Sequence, residues 1–151
     1  MPRAADTSST YVISASSLLA VLELRGQRAT AVLDGMVAMA TVGRLQTVAL
    51  VWSAVADTGI EAAFQACVGA FVVKEFHLQD EIRIVLDQCG ENLLANDPTL
   101  EDPEPWLVAL ALRLGATVVS EPSALSRLPW ACNGLSIPLL QLSDVIAVEI
   151  P

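Results

Sequence analysis

Short β-branched runs alternate along the chain with longer apolar stretches at helical spacing. Tyr11–Ala15 opens with Tyr-Val-Ile and reads as a first strand. It gives onto a small polar tip, Ser14-Ala15-Ser16-Ser17, and the apolar pattern restarts at Leu18. Cap residues before a leucine-rich run predict a helix over Ser16–Arg25, closed by Gly26. Gln27–Thr41 carries Ala, Val, Leu and Met at helical spacing, with Gly43 as its cap. Leu45–Val48 predicts a second strand, followed by a short helix up to Asp57 and a break at Gly59.

Ile60–Val73 (IEAAFQACVGAFVV) predicts one strongly apolar helix. Glu75–Leu94 puts Phe76, Ile82, Val85, Leu86 and Cys89 on one face and charges on the other, an amphipathic helix. Asn96–Pro105 (NDPTLEDPEP) is a polar, proline-rich loop. Trp106–Leu114 follows as a helix, with Glu104 and Pro105 suiting its first turn and Gly115 ending it. Thr117–Ser120 and Ile137–Leu140 read as buried strands, and Ser143 or Asp144 starts a final helical turn. Strands separated by helices predict an α/β fold with a parallel sheet covered on both faces. In such folds ligands bind at the carboxyl ends of the strands, where Ser14 falls.

Composition agrees with one core-rich domain. The chain has 151 residues, of which 54% are hydrophobic and 17% charged. The first ten residues, MPRAADTSST, read as a loose tail without the apolar stretch of a signal peptide. Thr30–Val42 is broken by Asp34 and Leu107–Val119 by Arg113, so no apolar run approaches the ~20 residues of a membrane span. A cytoplasmic protein with no membrane association is the expectation.

Charge excludes more than it assigns. Eight Lys and Arg face seventeen Asp and Glu, a net charge of -9. The basic residues are scattered singly, so there is no stripe to neutralise phosphates, and tight unaided binding to DNA or RNA is not expected. Cys67, Cys89 and Cys132 are isolated and read as reduced, buried thiols. With His77 as the only histidine, the closely spaced ligand pairs of a zinc site are missing.

The C-terminal part carries a resemblance. EPWLVALALRLGATVVSEP, followed by RLPWACNGLSIPLLQLSDVI, resembles the PIN-like family related to toxin–antitoxin ribonucleases. There a D-P-W-L-I-A helix leads into G-A-T-V-V-T-x-E, then I-P-x-V-C and a closing L-x-D-hydrophobic turn. YVISASSLLA resembles that family's first strand, Y-V-I-D-A-S-S-L-I, whereas Gly26 to Asn96 matches only in helical style. The resemblance implies a three-layer α/β/α sandwich with a small, mainly parallel sheet. It places a single PIN-like domain over 11–151 behind a flexible tail over 1–10.

It also implies a chemistry: carboxylates at the strand tips holding Mg²⁺ or Mn²⁺ to activate water for RNA cleavage. Carried over position by position, that chemistry is eroded. Ser14 stands where the family has its first-strand aspartate, and the usual helix glutamate falls near Ala54. Glu104 takes the place of the D of D-P-W. Ser120 and Glu121 match the T-x-E stretch, and Pro122 sits where many members have an acid. The implied catalytic positions are therefore Ser14, Glu104 and Glu121, with Glu104 and Glu121 as the metal ligands. A neutral hydroxyl is a poor ligand for so hard an ion.

Each residue also has a plainer reading. Ser14 caps the following helix; as a nucleophile it lacks a G-x-S-x-G setting. Glu104 favours a helix start, where Asp102 rivals it, and Glu121 is a solvated loop charge. Trp52, Trp106 and Trp130 are core or interface residues, and His77 lies on a helix surface. Two functions follow. In one, the protein keeps the PIN-like fold with a degenerate metal site and acts through protein partners, an antitoxin or another. In the other, it is an active Mg- or Mn-dependent ribonuclease toxin using a reduced acidic cluster, with RNA as substrate. The nearly uncharged Thr30–Val42 and Ile60–Val73 predict a homo-oligomer or tight complex that buries one of them.

Overall fold

In a computed structural model, which describes residues 9–93, 102–123 and 126–151, five short parallel strands form one sheet. They are β1 (Tyr11–Ile13), β2 (Leu45–Val48), β3 (Val72–Val73), β4 (Thr117–Val119) and β5 (Leu139–Leu140), in the spatial order β3-β2-β1-β4-β5. Tyr11 stands between Leu45 and Thr117, so β1 is central, and Val118 pairs with Leu139 toward the outer edge. Helices cover both faces, a three-layer α/β/α sandwich. They are α1 (Ala15–Val21), α2 (Gly26–Thr41), α3 (Ala49–Ala54), α4 (Ile60–Phe64), α5 (Val68–Phe71), α6 (Gln79–Leu93), α7 (Pro103–Leu114), α8 (Leu128–Gly134) and α9 (Leu142–Glu149).

The core sits where apolar strands meet apolar helix faces. Val12, Val48 and Val118 of the sheet are fully buried, as are Leu18 of α1, Val32 of α2 and Val108 of α7. In α7 the seven consecutive residues Pro105–Ala111 are all buried, which fits a helix apolar on every side. Parallel strands buried on both faces need this continuous apolar character rather than alternation. No helix among the described residues is long and apolar enough to cross a membrane.

Several boundaries differ from the sequence expectation, each for a physical reason. The apolar stretch Ile60–Val73 is not one helix: a 3₁₀ turn at Gln65–Cys67 separates α4 from α5, and Val72–Val73 leaves as β3. The helical face survives, since Ile60, Phe64, Cys67 and Phe71 all point inward and Phe64 stacks on Phe71 at 4.4 Å. The adjacent β-branched pair Val72 and Val73 gains more by pairing with Thr47 and Val48 than by another helical turn. Helix α1 stops at Val21, and Gly26, at φ +70°, begins α2 rather than closing α1. Helix α7 starts at Pro103, not Trp106, because Asp102 caps it and the prolines are tolerated in a first turn. His77 belongs to a 3₁₀ turn, Glu75–Leu78, ahead of α6. The tail expected over 1–10 falls mostly, and the loop expected over 96–105 largely, outside the described residues.

The two helical segments expected to face a partner differ in what they expose. On α2, Val32, Met36, Met39 and Ala40 turn inward and leave Ala31, Asp34, Ala38 and Thr41 exposed. Between Ile60 and Val73, the exposed positions are Ala62, Gln65, Ala66, Gly69 and Ala70.

Candidate functional site

Because the strands are parallel, the segments that leave their carboxyl ends gather on one side. Ser14 leaves β1 there, Ser120 and Glu121 leave β4, and the start of α7 brings Asp102 and Glu104. All five line one pocket of about 330 Å³, together with Ser16, Ser123 and Ser126. The three positions expected from sequence, Ser14, Glu104 and Glu121, are thus brought together. Ala54 is not: it ends α3, exposed to solvent, and does not line the pocket.

The middle of the pocket floor is a triangle of hydroxyls. Ser14 Oγ donates to Ser120 Oγ at 3.0 Å and lies 2.9 Å from Ser16 Oγ; Ser16 and Ser120 are 3.2 Å apart. Ser14 is also the N-cap of α1 and accepts the Ser17 N–H at 3.4 Å. A hydroxyl offers one donor and two acceptor positions, and those of Ser14 are all taken. At 5% exposure it has no further partner to seek. Ser16 Oγ accepts the Glu121 N–H at 3.1 Å, so the triangle ties the tips of β1 and β4 together.

Each glutamate is an acceptor for the start of a helix far away in sequence. Glu121 Oε2 receives the Ser17 hydroxyl at 2.6 Å and the Leu142 N–H, the first of α9, at 3.0 Å. Glu104 Oε1 receives the Arg127 N–H at 2.9 Å and Oε2 the Ser126 hydroxyl at 2.6 Å, just ahead of α8. Ser126 in turn accepts the Leu128 N–H at 3.2 Å. Helix starts have unpaired N–H groups and a positive dipole end, which carboxylates satisfy. Asp102 does the same locally, accepting the Glu104 N–H at 2.9 Å as the cap of α7. The rivalry between Asp102 and Glu104 resolves into two roles: Asp102 caps its own helix, and Glu104 reaches across to another.

Beneath the pocket, burial pushes the Cys132 thiol up to about 12, with the nearby Cys89 and Glu104 adding to the effect. A thiol held protonated is neither nucleophile nor metal ligand. Cys67, Cys89 and Cys132 are all free and buried. Among the described residues, none that lines the pocket is basic.

A divalent ion bound by clustered carboxylates does not fit this donor set. Ser14 has no lone pair to give, and Glu104 and Glu121 are turned to separate helix starts rather than to one point. Among the described residues no group of three or more His, Cys, Asp or Glu could hold a metal. The tryptophans lie elsewhere: Trp106 is buried, Trp52 packs edge-on to Phe71 at 5.9 Å, and Trp130 is exposed. The roles of Ser16, Ser17 and Ser126 were not foreseen. The only signal for them is the density of serines at the two strand tips, SASS at 14–17 and SEPSALS at 120–126. No protein-family model, curated protein or solved structure matches this chain.

Proposed function

We propose that the protein is a PIN-like domain of toxin–antitoxin ancestry whose metal-nuclease site has become structural, and that it acts in the cytoplasm by binding protein partners. One observation carries the reading: the carboxylates at the strand tips are engaged by helix-start N–H and serine hydroxyl donors, and the central tip residue is a hydrogen-bonded serine. Charges that would gather a cation instead anchor α8 and α9, so the chemistry of the site has been exchanged for stability. In this reading the carboxylates hold helix starts rather than activate water, and no step through a metal follows. What remains for such a domain is recognition by its surface. A chain of net charge -9 is a poor partner for RNA and a suitable one for proteins with complementary patches.

The test is cleavage. Incubated with Mg²⁺ or Mn²⁺ and a labelled single-stranded RNA, the purified native chain leaves the substrate intact. Metal-dependent cleavage that is lost on Glu104→Gln would overturn the proposal and restore the active ribonuclease reading.

A further inference from the structure

A second groove, of about 610 Å³, runs along β3 at the edge of the sheet. Trp52, Gly69, Val72 and Val73 contribute to its apolar lining, with Lys74 and His77 at one end. Four features of it point to an occupant.

The first is the strand itself. β3 pairs with β2 on one side only, and an edge strand is a template for a further strand. The second is a rigid apolar platform, since Trp52 is braced edge-on against the buried Phe71 at 5.9 Å. Phe76, 62% exposed, lies against the groove residue His77, the two rings tilted by 37° with centroids 4.1 Å apart.

The third is charge. Among the described residues the groove is lined by no acid, whereas the serine-lined pocket has three. Lys74 lies in it, and Arg113 is held beside it by donating to the His77 carbonyl at 2.6 Å. The neighbouring Glu75 is occupied, its carboxylate accepting the Leu50 N–H at 2.8 Å. In a chain of net charge -9, Lys74 and Arg113 bring two positive charges to this groove, and the hydrogen-bonded Glu75 keeps its negative charge beside them. The fourth is Gly69. It is exposed in the single turn of α5, Val68–Phe71. Nothing lies within 4 Å of where its Cβ would be, so packing inside the chain does not require it. A side chain there would project into the groove.

We propose that this groove docks an extended segment of a partner protein as an added strand beside β3. Its apolar side chains pack on Trp52, and its acidic side chains face Lys74 and Arg113. A nucleic acid has no N–H and C=O row to pair with a strand edge, and so few cations neutralise few phosphates. The inference rests on the partner-binding half of the function proposed above and is independent of its metal half.

The experiment is selection of displayed random peptides on the full-length chain. The enriched peptides alternate apolar and acidic residues. A labelled winner binds about tenfold more weakly to Lys74→Glu, the order expected for loss and reversal of one complementary charge. It loses measurable binding to Gly69→Gln, whose melting temperature is not lowered. N-methylation of alternate peptide amides also weakens it, because strand pairing needs those N–H groups. The proposal is overturned if no acidic-apolar class is enriched, or if winners bind Gly69→Gln as well as the native chain. It is also overturned if a labelled oligouridine is the ligand that Gly69→Gln displaces. A native dimer that Gly69→Gln dissociates would overturn it too, making a second copy the occupant. Failure here with no metal response leaves the metal-site reading standing; metal binding with intact peptide binding removes only that reading.

Discussion

Replacing Glu121 by alanine separates a structural carboxylate from a metal-binding one by sign alone. In an acid cluster built for a cation, removing one acid from the metal-free protein relieves repulsion and raises stability. Here Glu121 Oε2 accepts both the Ser17 hydroxyl and the Leu142 N–H, at 2.6 and 3.0 Å. Ser17 is fully buried, so its hydroxyl is left without that acceptor. Hydrogen bonds to a charged group contribute about 1.5–3 kcal/mol each, and discounting for the half-exposed glutamate gives a loss of about 3 kcal/mol for the pair. For a domain of this size that lowers the melting temperature by ~6–12 °C. Because both donors converge on one oxygen, the carbonyl of Glu121→Gln can hold the same place, and its cost stays under about 1 kcal/mol. Urea unfolding with an unchanged slope gives the difference in stability. An alanine variant as stable as the native chain, or more stable, would refute the structural role assigned to Glu121.

Three further outcomes follow from the same geometry. Asp102→Ala removes the cap of α7 and costs about 1 kcal/mol, while Asp102→Asn keeps an acceptor and costs little, both read by urea unfolding. At the opposite end of β1, Tyr11 donates to Glu149 at 2.7 Å, and Arg44 pairs with the other oxygen at 2.9 Å. Burial first, then the bond to Glu149, raises the Tyr11 hydroxyl from 10.0 to about 12. A group whose proton is held more tightly in the folded state stabilises fully below the unfolded value and loses that contribution as pH climbs through the folded one. Stability therefore declines between pH 10 and about 12, and Tyr11→Phe flattens the decline. Tyr11 is the only tyrosine, so tyrosinate absorbance reads it directly, and titration near the ordinary value would count against the network.

The sequence carried the elements whose signals are local. The three-layer fold, the tips at Ser14 and Glu121, and the glycine stop at Gly115, with φ +62°, could all be read from neighbouring residues. Helix α8 could not. Its N-cap is Arg127, which makes no side-chain cap, and the missing acceptor arrives from Glu104, 23 residues away. Helix α9, Leu142–Glu149, is longer than the final turn that Ser143 or Asp144 suggests, for a related reason. Gln141 and Asp144 form its capping box, but the first N–H is completed by Glu121 across the pocket. The break in Ile60–Val73 depends on β2 offering Thr47 and Val48 as partners, which periodicity along one segment does not record. The resemblance marked Glu104 and Glu121 as surviving acids; only their partners reveal what the acids hold.

A titration of the native chain with Mn²⁺, followed by thermal unfolding, weighs the structural reading of the strand-tip acids against the catalytic one. A ligand at about 100 times its dissociation constant adds roughly 2.7 kcal/mol to stability, which corresponds to a rise of ~5–10 °C for a domain of this length. With Ser14 saturated and both glutamates turned to helix starts, the expected shift is near zero at ~5 mM metal, a concentration sufficient for weak divalent sites. A rise of several degrees that disappears in Glu104→Gln would mean that the carboxylates converge on a cation after all.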